Sequence, residues 1–173
     1  VLLMVPPISY TRAKLYEQCP ARFKAEYLDG KKPPRGLPLR IGVFLHEVLD
    51  RYFKHLIATD QASDYSAMEE IFEGAWAGEP GQDFIESDRE EIVDLMLKTR
   101  ESVLLEDREH VVGSEVMIAV DEKWVKVDWD SPAAAVRLKI DRLEVDGEGR
   151  ALVWDYKTGH KMEAAEDSRQ LKL

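Results

Sequence analysis

Two carboxylates and an ammonium group late in the chain are the residues best suited to chemistry. Asp155 and Lys157 are two apart in an extended segment, so their side chains leave the same face of a strand. Fourteen residues before Asp155, Asp141 ends a run in which Val136, Leu138 and Ile140 alternate with Arg137, Lys139 and Asp141. That alternation puts Asp141 on a polar strand face. The two segments are joined by Val145-Asp146-Gly147-Glu148-Gly149, a hairpin connection with two glycines for positive φ. Carboxylates on adjacent paired strands can reach one divalent ion. Hard oxygen donors with open positions suit Mg²⁺ in contact with phosphate, and such an ion activates water and stabilises charge developing on a phosphoryl centre. The same pattern also fits the solvated face of an amphipathic hairpin. Burial decides between the two, because close carboxylates are costly without a cation between them.

The elements that must position these groups change character along the chain. Ser9 is placed to cap a short helix running to about Gln18, closed by Cys19-Pro20, and a second short helix covers Ala21–Leu28. Asp29–Pro38 is rich enough in Gly and Pro to be a loop. From Leu39 to Ile57, Leu45, Val48, Leu49, Tyr52, Phe53 and Leu56 share one helical face, opposite Glu47, Asp50, Arg51 and Lys54. Further helices are expected over Asp64–Trp76 and Ser87–Asp107. After Gly113 the pattern turns extended, with strands expected at Glu115–Val120, Trp124–Trp129, Ala135–Glu144 and Ala151–Lys157, and a helix from Met162. Helices followed by antiparallel strands predict an α+β fold with a mixed central β-sheet. The 173 residues fit a single domain, mainly helical over 1–110, with the sheet core and following helix in 111–173.

Composition narrows the classes. With 45% hydrophobic and 34% charged residues the chain is globular rather than disordered. One cysteine, Cys19, cannot form an internal disulfide framework. No apolar run approaches the roughly 18 residues that cross a bilayer, and the opening VLLMVPPISY lacks a basic region and a cleavage site. A cytoplasmic address and no membrane partner are therefore expected. The net charge of −10 hides a gradient: residues 1–56 carry +5, residues 57–122 carry −15 and residues 123–173 balance. The basic segment can face phosphates while the acidic middle forms a solvated face.

Asp141 followed by Asp155-Tyr156-Lys157-Thr158-Gly159 resembles the signature of the PD-(D/E)XK nuclease superfamily, and within it the RecB-like exonucleases, whose motif reads roughly GxIDRI…DYKTG. Ile8-Ser9-Tyr10 through Tyr16-Glu17-Gln18-Cys19-Pro20-Ala21-Arg22-Phe23 is similar to that family's opening segment. Gly42-Val43-Phe44-Leu45-His46 is similar to its G-x-x-x-H helix, Glu115 to a glutamate before its first core strand, and Gln170 to the start of its Q-x-x-x-Y motif. The resemblance implies a restriction-endonuclease-like core and a Mg²⁺- or Mn²⁺-dependent deoxyribonuclease, an exonuclease of DNA repair or recombination. It implies metal ligation by His46, Asp141, Asp155 and the backbone carbonyl of Tyr156, with Lys157 activating the attacking water and Gln170 assisting. His46 fits geometrically, at the rim of the apolar stripe beside Phe53; His55, His110 and His160 have surface roles only.

Two departures stand out. Lys139 occupies the place of the family's glycine, and the chain ends one residue before the tyrosine expected after Gln170, which implies a truncated C-terminus. AddB-type and CRISPR-associated relatives use an upstream cysteine, matched by Cys19, in a [4Fe–4S] cluster. Such a cluster needs about four thiolates, so it is possible only if the full protein supplies more; otherwise Cys19 is expected to be buried. Arg12, Lys14, Arg22, Lys24, Lys31, Lys32 and Arg35 are the candidates for contact with DNA, either single-stranded or duplex ends. Trp76, Trp124, Trp129 and Trp154 are expected to pack in cores. The implied partner besides DNA is a helicase subunit or domain. The competing readings are an inactive nuclease-like DNA-binding or scaffolding module in a helicase–nuclease complex, and an acidic protein that binds a basic partner.

Overall fold

The computed structural model describes residues 6–61, 64–82, 84–104 and 111–157, with the backbone alone for 100–104. The expectations for His110, Thr158, Gly159, His160, Gln170 and the helix from Met162 lie outside the described residues. Element order is α1 (Tyr10–Gln18), α2 (Pro20–Phe23), a π-helical turn (Lys24–Leu28), α3 (Leu37–Thr59), α4 (Tyr65–Ala77), a 3₁₀ turn (Glu79–Gly81), α5 (Glu86–Leu104), β1 (Val111–Val120), β2 (Lys126–Val127), β3 (Val136–Val145) and β4 (Ala151–Trp154). The fold is α+β, with a four-stranded sheet in the order β2-β1-β3-β4. The pairs β1–β2 and β3–β4 are antiparallel, and an isolated parallel bridge joins Ile8 to Val136. No helix among the described residues is long and apolar enough to cross a membrane.

The chain forms two compact units. The first comprises the described residues of 6–34 and 117–139, the second those of 35–116 and 140–157. In the first, Ser9 caps α1 by accepting from the Arg12 N–H at 3.4 Å. The helix expected over Ala21–Leu28 is divided: after α2 its last turn widens, and the Asp29 N–H reaches the Lys24 carbonyl five residues back. Cys19, expected to be buried, is exposed; it takes an extended conformation between α1 and α2, where Pro20 restarts the helix.

The second unit is built on α3. Ile41, Phe44, Leu45, Val48, Leu49, Tyr52, Phe53 and Leu56 fall three and four apart and are all buried, each side chain contributing about 1.5–3 kcal/mol of transfer free energy. The helix starts earlier than expected because Pro38 sits in its first turn, where the missing N–H has no partner to lose. α4 is capped by Asp64, whose Oδ1 accepts from the Ala67 N–H at 3.0 Å. Phe44 meets Phe72, Trp76 and Phe84 edge-on at 5.6, 6.1 and 5.5 Å between ring centroids. Ile92 and Met96 of α5 complete this core. Gly81 makes the tight 3₁₀ turn possible, since a Cβ there would lie 1.9 Å from the Trp76 carbonyl oxygen.

The strands differ from expectation where side chains take over backbone partners. β2 is only two residues long because Asp121 organises residues 121–125 into a turn, and Trp124 at its tip is exposed rather than in a core. β4 stops at Trp154, short of Lys157, and the Tyr156 N–H goes to the Asp141 carboxylate instead of a strand partner. In the β3–β4 connection only Gly149 has positive φ (78°). Asp146 does the rest, accepting from the Glu148 and Arg150 N–H groups at 2.9 Å. The Arg150 N–H and guanidinium, with the Glu148 N–H, hold the Asp146 carboxyl below its ordinary range.

Candidate metal centre

Every group in the following cluster belongs to the second unit. α3 delivers His46 from the edge of its buried face, flanked by buried Leu45 and Leu49, with the imidazole 29% exposed. Its Nδ1 lies 3.4 Å from Asp141 Oδ1 on β3 and 3.6 Å from Glu115 Oε1 on β1. Its Nε2 lies 3.2 Å from the Tyr156 carbonyl oxygen. With Nε2–H donating to that carbonyl, the Nδ1 lone pair faces the two carboxylates, the tautomer a metal ligand requires.

Asp141, only 9% exposed, is held by its other oxygen, which accepts the Tyr156 N–H at 2.7 Å. The Tyr156 backbone thus orients two ligands: its N–H holds Asp141 and its C=O holds His46. Glu115 reaches the cluster from a strand residue in the left-handed region, φ 50°. That conformation costs a glutamate about 1–3 kcal/mol, and it breaks the side-chain alternation of β1 at the position where the carboxylate meets the site.

Together His46, Glu115 and Asp141 offer three ligand atoms within 4.8 Å of one another. Adjacent ligands of an octahedral ion with bonds of about 2.1 Å sit about 3 Å apart, so the 3.4 and 3.6 Å separations need only a small contraction. One imidazole and two carboxylates are a donor set for a hard or borderline divalent cation. The cluster can coordinate such a metal, and none of its chemistry resembles an iron–sulfur site. Burial pushes the His46 pKa down, but the hydrogen bond and charge of Asp141, the Tyr156 carbonyl and the charge of Asp155 outweigh it, leaving it above 6.5.

Asp155 and Lys157 pair at 2.5 Å, with Asp155 largely covered and Lys157 exposed. Asp155 is close enough for its charge to act on His46. The Tyr156 carbonyl oxygen, which the resemblance implies as a metal ligand, lies 3.2 Å from His46 Nε2. The basic candidates are dispersed among local partners. Arg12 lies over the Tyr27 ring and donates to the Pro7 carbonyl, Lys14 lies over Tyr10, and Lys32 over Tyr27. Arg22 bonds Glu26 at 2.6 Å and Lys24 bonds Asp29 at 2.9 Å, while Lys31 and Arg35 are exposed. His55 is 3.3 Å from Asp64, the cap of α4.

Two features of this region are not evident from the sequence. The resemblance makes Glu115 a landmark before the first core strand rather than a ligand, and the left-handed kink at this residue has no signature in residue type. The second is a buried ionic cluster beside the site. Arg142 is 1% exposed and Glu144 5%, with Arg142 Nε 3.2 Å from Glu144 Oε1. The guanidinium lies 4.2 Å from the Trp154 ring centroid, 4.9 Å from Phe53 and 5.7 Å from Tyr156. The Trp154 Nε1–H donates to Glu144 Oε2 at 2.9 Å. A signal was present: Arg142 and Glu144 follow Leu138 and Ile140 on the apolar alternation of β3.

A family model described as the PD-(D/E)XK nuclease superfamily matches residues 7–173. Neither the curated proteins nor the solved structures include a match.

Proposed function

Because the chain belongs to the PD-(D/E)XK nuclease superfamily, we propose that it is a RecB-like, Mg²⁺- or Mn²⁺-dependent deoxyribonuclease that shortens DNA in repair or recombination. The observation that carries this reading is the convergence of His46, Glu115 and Asp141 from three separate elements on one small volume. Carboxylates held this close repel one another unless a cation joins them.

His46, Glu115 and Asp141 would hold the metal, with Asp155 beside them. When bound, the ion supplies Lewis-acid stabilisation of phosphoryl charge and a more acidic water. The chain's own groups do the positioning. The Tyr156 peptide fixes the Asp141 carboxylate and the His46 ring. Asp155 holds the Lys157 ammonium at the edge of the site, and that half-exposed ammonium can turn onto a phosphate oxygen and orient water toward phosphorus. Protons released there can pass to Asp155, the carboxylate paired with Lys157.

The test is hydrolysis of end-labelled linear and circular DNA with Mg²⁺ or Mn²⁺, comparing the parent protein with Asp155→Ala and Lys157→Ala. The parent is expected to degrade linear DNA from its ends, and each substitution to lower the rate by at least about a hundredfold. A parent protein that binds DNA and leaves it intact with both metals would refute the enzyme reading in favour of a nuclease-like binding module.

A further inference from the structure

Resting on the reading of DNA as substrate, we propose that Trp124 is a stacking platform for an unpaired nucleobase of single-stranded DNA. Trp124 is 72% exposed at the tip of the β1–β2 connection, and neighbouring Val125 is 57% exposed. Large aromatic side chains are seldom left this open. The other tryptophans are engaged: Trp76 packs among Phe44, Phe72 and Phe84, Trp129 lies under Arg137, and Trp154 lies under Arg142. Among the described residues no ring or cation contact covers the Trp124 indole.

The loop that presents it is built rather than slack. The Asp121 N–H donates to the Val125 carbonyl at 2.9 Å, and the Trp124 N–H donates to the Asp121 carbonyl at 3.0 Å. Asp121 Oδ1 accepts the Lys123 and Val125 N–H groups at 2.8 and 2.9 Å. These bonds hold Trp124 at φ 64°, a backbone region that bulky residues avoid. A strained residue fixed by its surroundings, with its side chain turned outward, points to a use for that side chain.

The surrounding chemistry selects the ligand. Lys123 and Lys126 flank Trp124 in the chain and are exposed, whereas the Asp121 carboxylate is occupied by backbone donors; Glu122 is the one opposing exposed charge between Asp121 and Lys126. A protein partner of ordinary affinity needs an apolar patch of several hundred Å², far more than two adjacent side chains offer. A single base presents one flat face, which one indole covers, and stacking of this kind tolerates any sequence.

The experiment is an anisotropy titration in EDTA with labelled oligothymidylate, the same strand without bases (abasic), and a blunt duplex, using the parent, Trp124→Ala and Trp124→Phe. Trp124→Gly, which the positive φ favours, serves as a second truncation whose fold is not in question. Loss of one stacked base is expected to weaken oligothymidylate binding about 5- to 150-fold in both truncations. Trp124→Phe should keep most of the affinity, the abasic strand should bind all variants alike, and the salt dependence should not change, because no phosphate contact is lost. If the truncations bind oligothymidylate as the parent does while the parent cleaves DNA with Mn²⁺, the stacking proposal fails and the nuclease reading stands. An equal deficit on the abasic strand also overturns it. A parent that neither binds nor cleaves DNA overturns both.

Discussion

Removing both members of the Arg142–Glu144 pair should destabilise the protein far less than the two single removals added together. The two residues are i and i+2 on β3 and so share a strand face, and their side chains are 1% and 6% exposed. Solvent screening therefore gives no reason to discount their interaction. Leaving one partner of a buried pair alone costs about 3–5 kcal/mol, whereas replacing both by apolar residues of similar volume is often neutral. Against a typical total stability of about 5–15 kcal/mol, Arg142→Met alone should lower the urea midpoint markedly. Glu144→Leu should do the same and also strip the Trp154 Nε1–H of its acceptor, a further cost of about 1–3 kcal/mol. The double variant keeps that indole cost and loses the cation–π contacts of Arg142 with three rings, together a few kcal/mol at most. The double-mutant cycle should thus show a coupling of at least about 3 kcal/mol, little changed between low and high salt. Equilibrium urea unfolding with an unchanged slope measures it. Single substitutions that each cost under about 1 kcal/mol and add in the double would mean that the pair is hydrated, and the reasoning from burial would be wrong.

Metal affinity should depend on His46 protonation. The imidazolium gains Asp141 in the metal-free protein and its pKa is raised above 6.5, so its stabilisation of the metal-free fold is fully present below about pH 6.5 and is lost as pH rises through the folded value. A cation must displace that proton, so Mn²⁺ affinity measured calorimetrically should climb as pH rises through the same window, and His46→Ala should flatten the profile. Glu115→Gly should stabilise the metal-free protein, because glycine accepts φ 50° without strain and one of two crowded carboxylates disappears; the same variant should lose at least about tenfold in Mn²⁺ affinity. Gly81→Ala should lower thermal stability by about 1–3 kcal/mol or more, since the Trp76 backbone, not a flexible side-chain end, stands 1.9 Å from the new methyl.

What was legible in the sequence is what periodicity and turn chemistry encode. The eight-residue apolar face of α3 is spaced three and four apart, and the caps at Ser9 and Asp64 announce α1 and α4 by residue type. His46 at the rim of that face and Asp141 on the polar alternation of β3 were readable for the same reason. Strand ends were not. β4 terminates because the Tyr156 N–H leaves the ladder for a carboxylate fifteen residues away, and β2 is short because Asp121 closes a turn through its side chain. Both depend on tertiary partners that no local window contains. Asp50 shows the converse: the helical wheel places it on the polar side of α3, yet it is 9% exposed, with one oxygen bonded to Lys54 at 2.6 Å.

The least legible residue, Glu115, is also the one whose placement says most about what the fold is for. Its left-handed backbone, and its proximity to Asp141 once His46 has lost its proton, are both unfavourable in the protein alone. Neither is relieved by a hydrophobic gain at that position, since the carboxylate occupies the volume. Strain and like charge concentrated at one point, with the Tyr156 peptide spending both of its polar groups to orient the neighbours, make sense if the missing free energy comes from a cation. Metal binding should accordingly stabilise the protein by mass action, and the gain should shrink in Glu115→Gly from two directions at once: the variant begins more stable without metal and holds it less tightly. Melting temperatures of the parent and this variant, each with EDTA and with millimolar Mn²⁺, separate the contributions. An equal rise in both proteins would show that the ion binds elsewhere, and that the kink in β1 serves some purpose other than ligation.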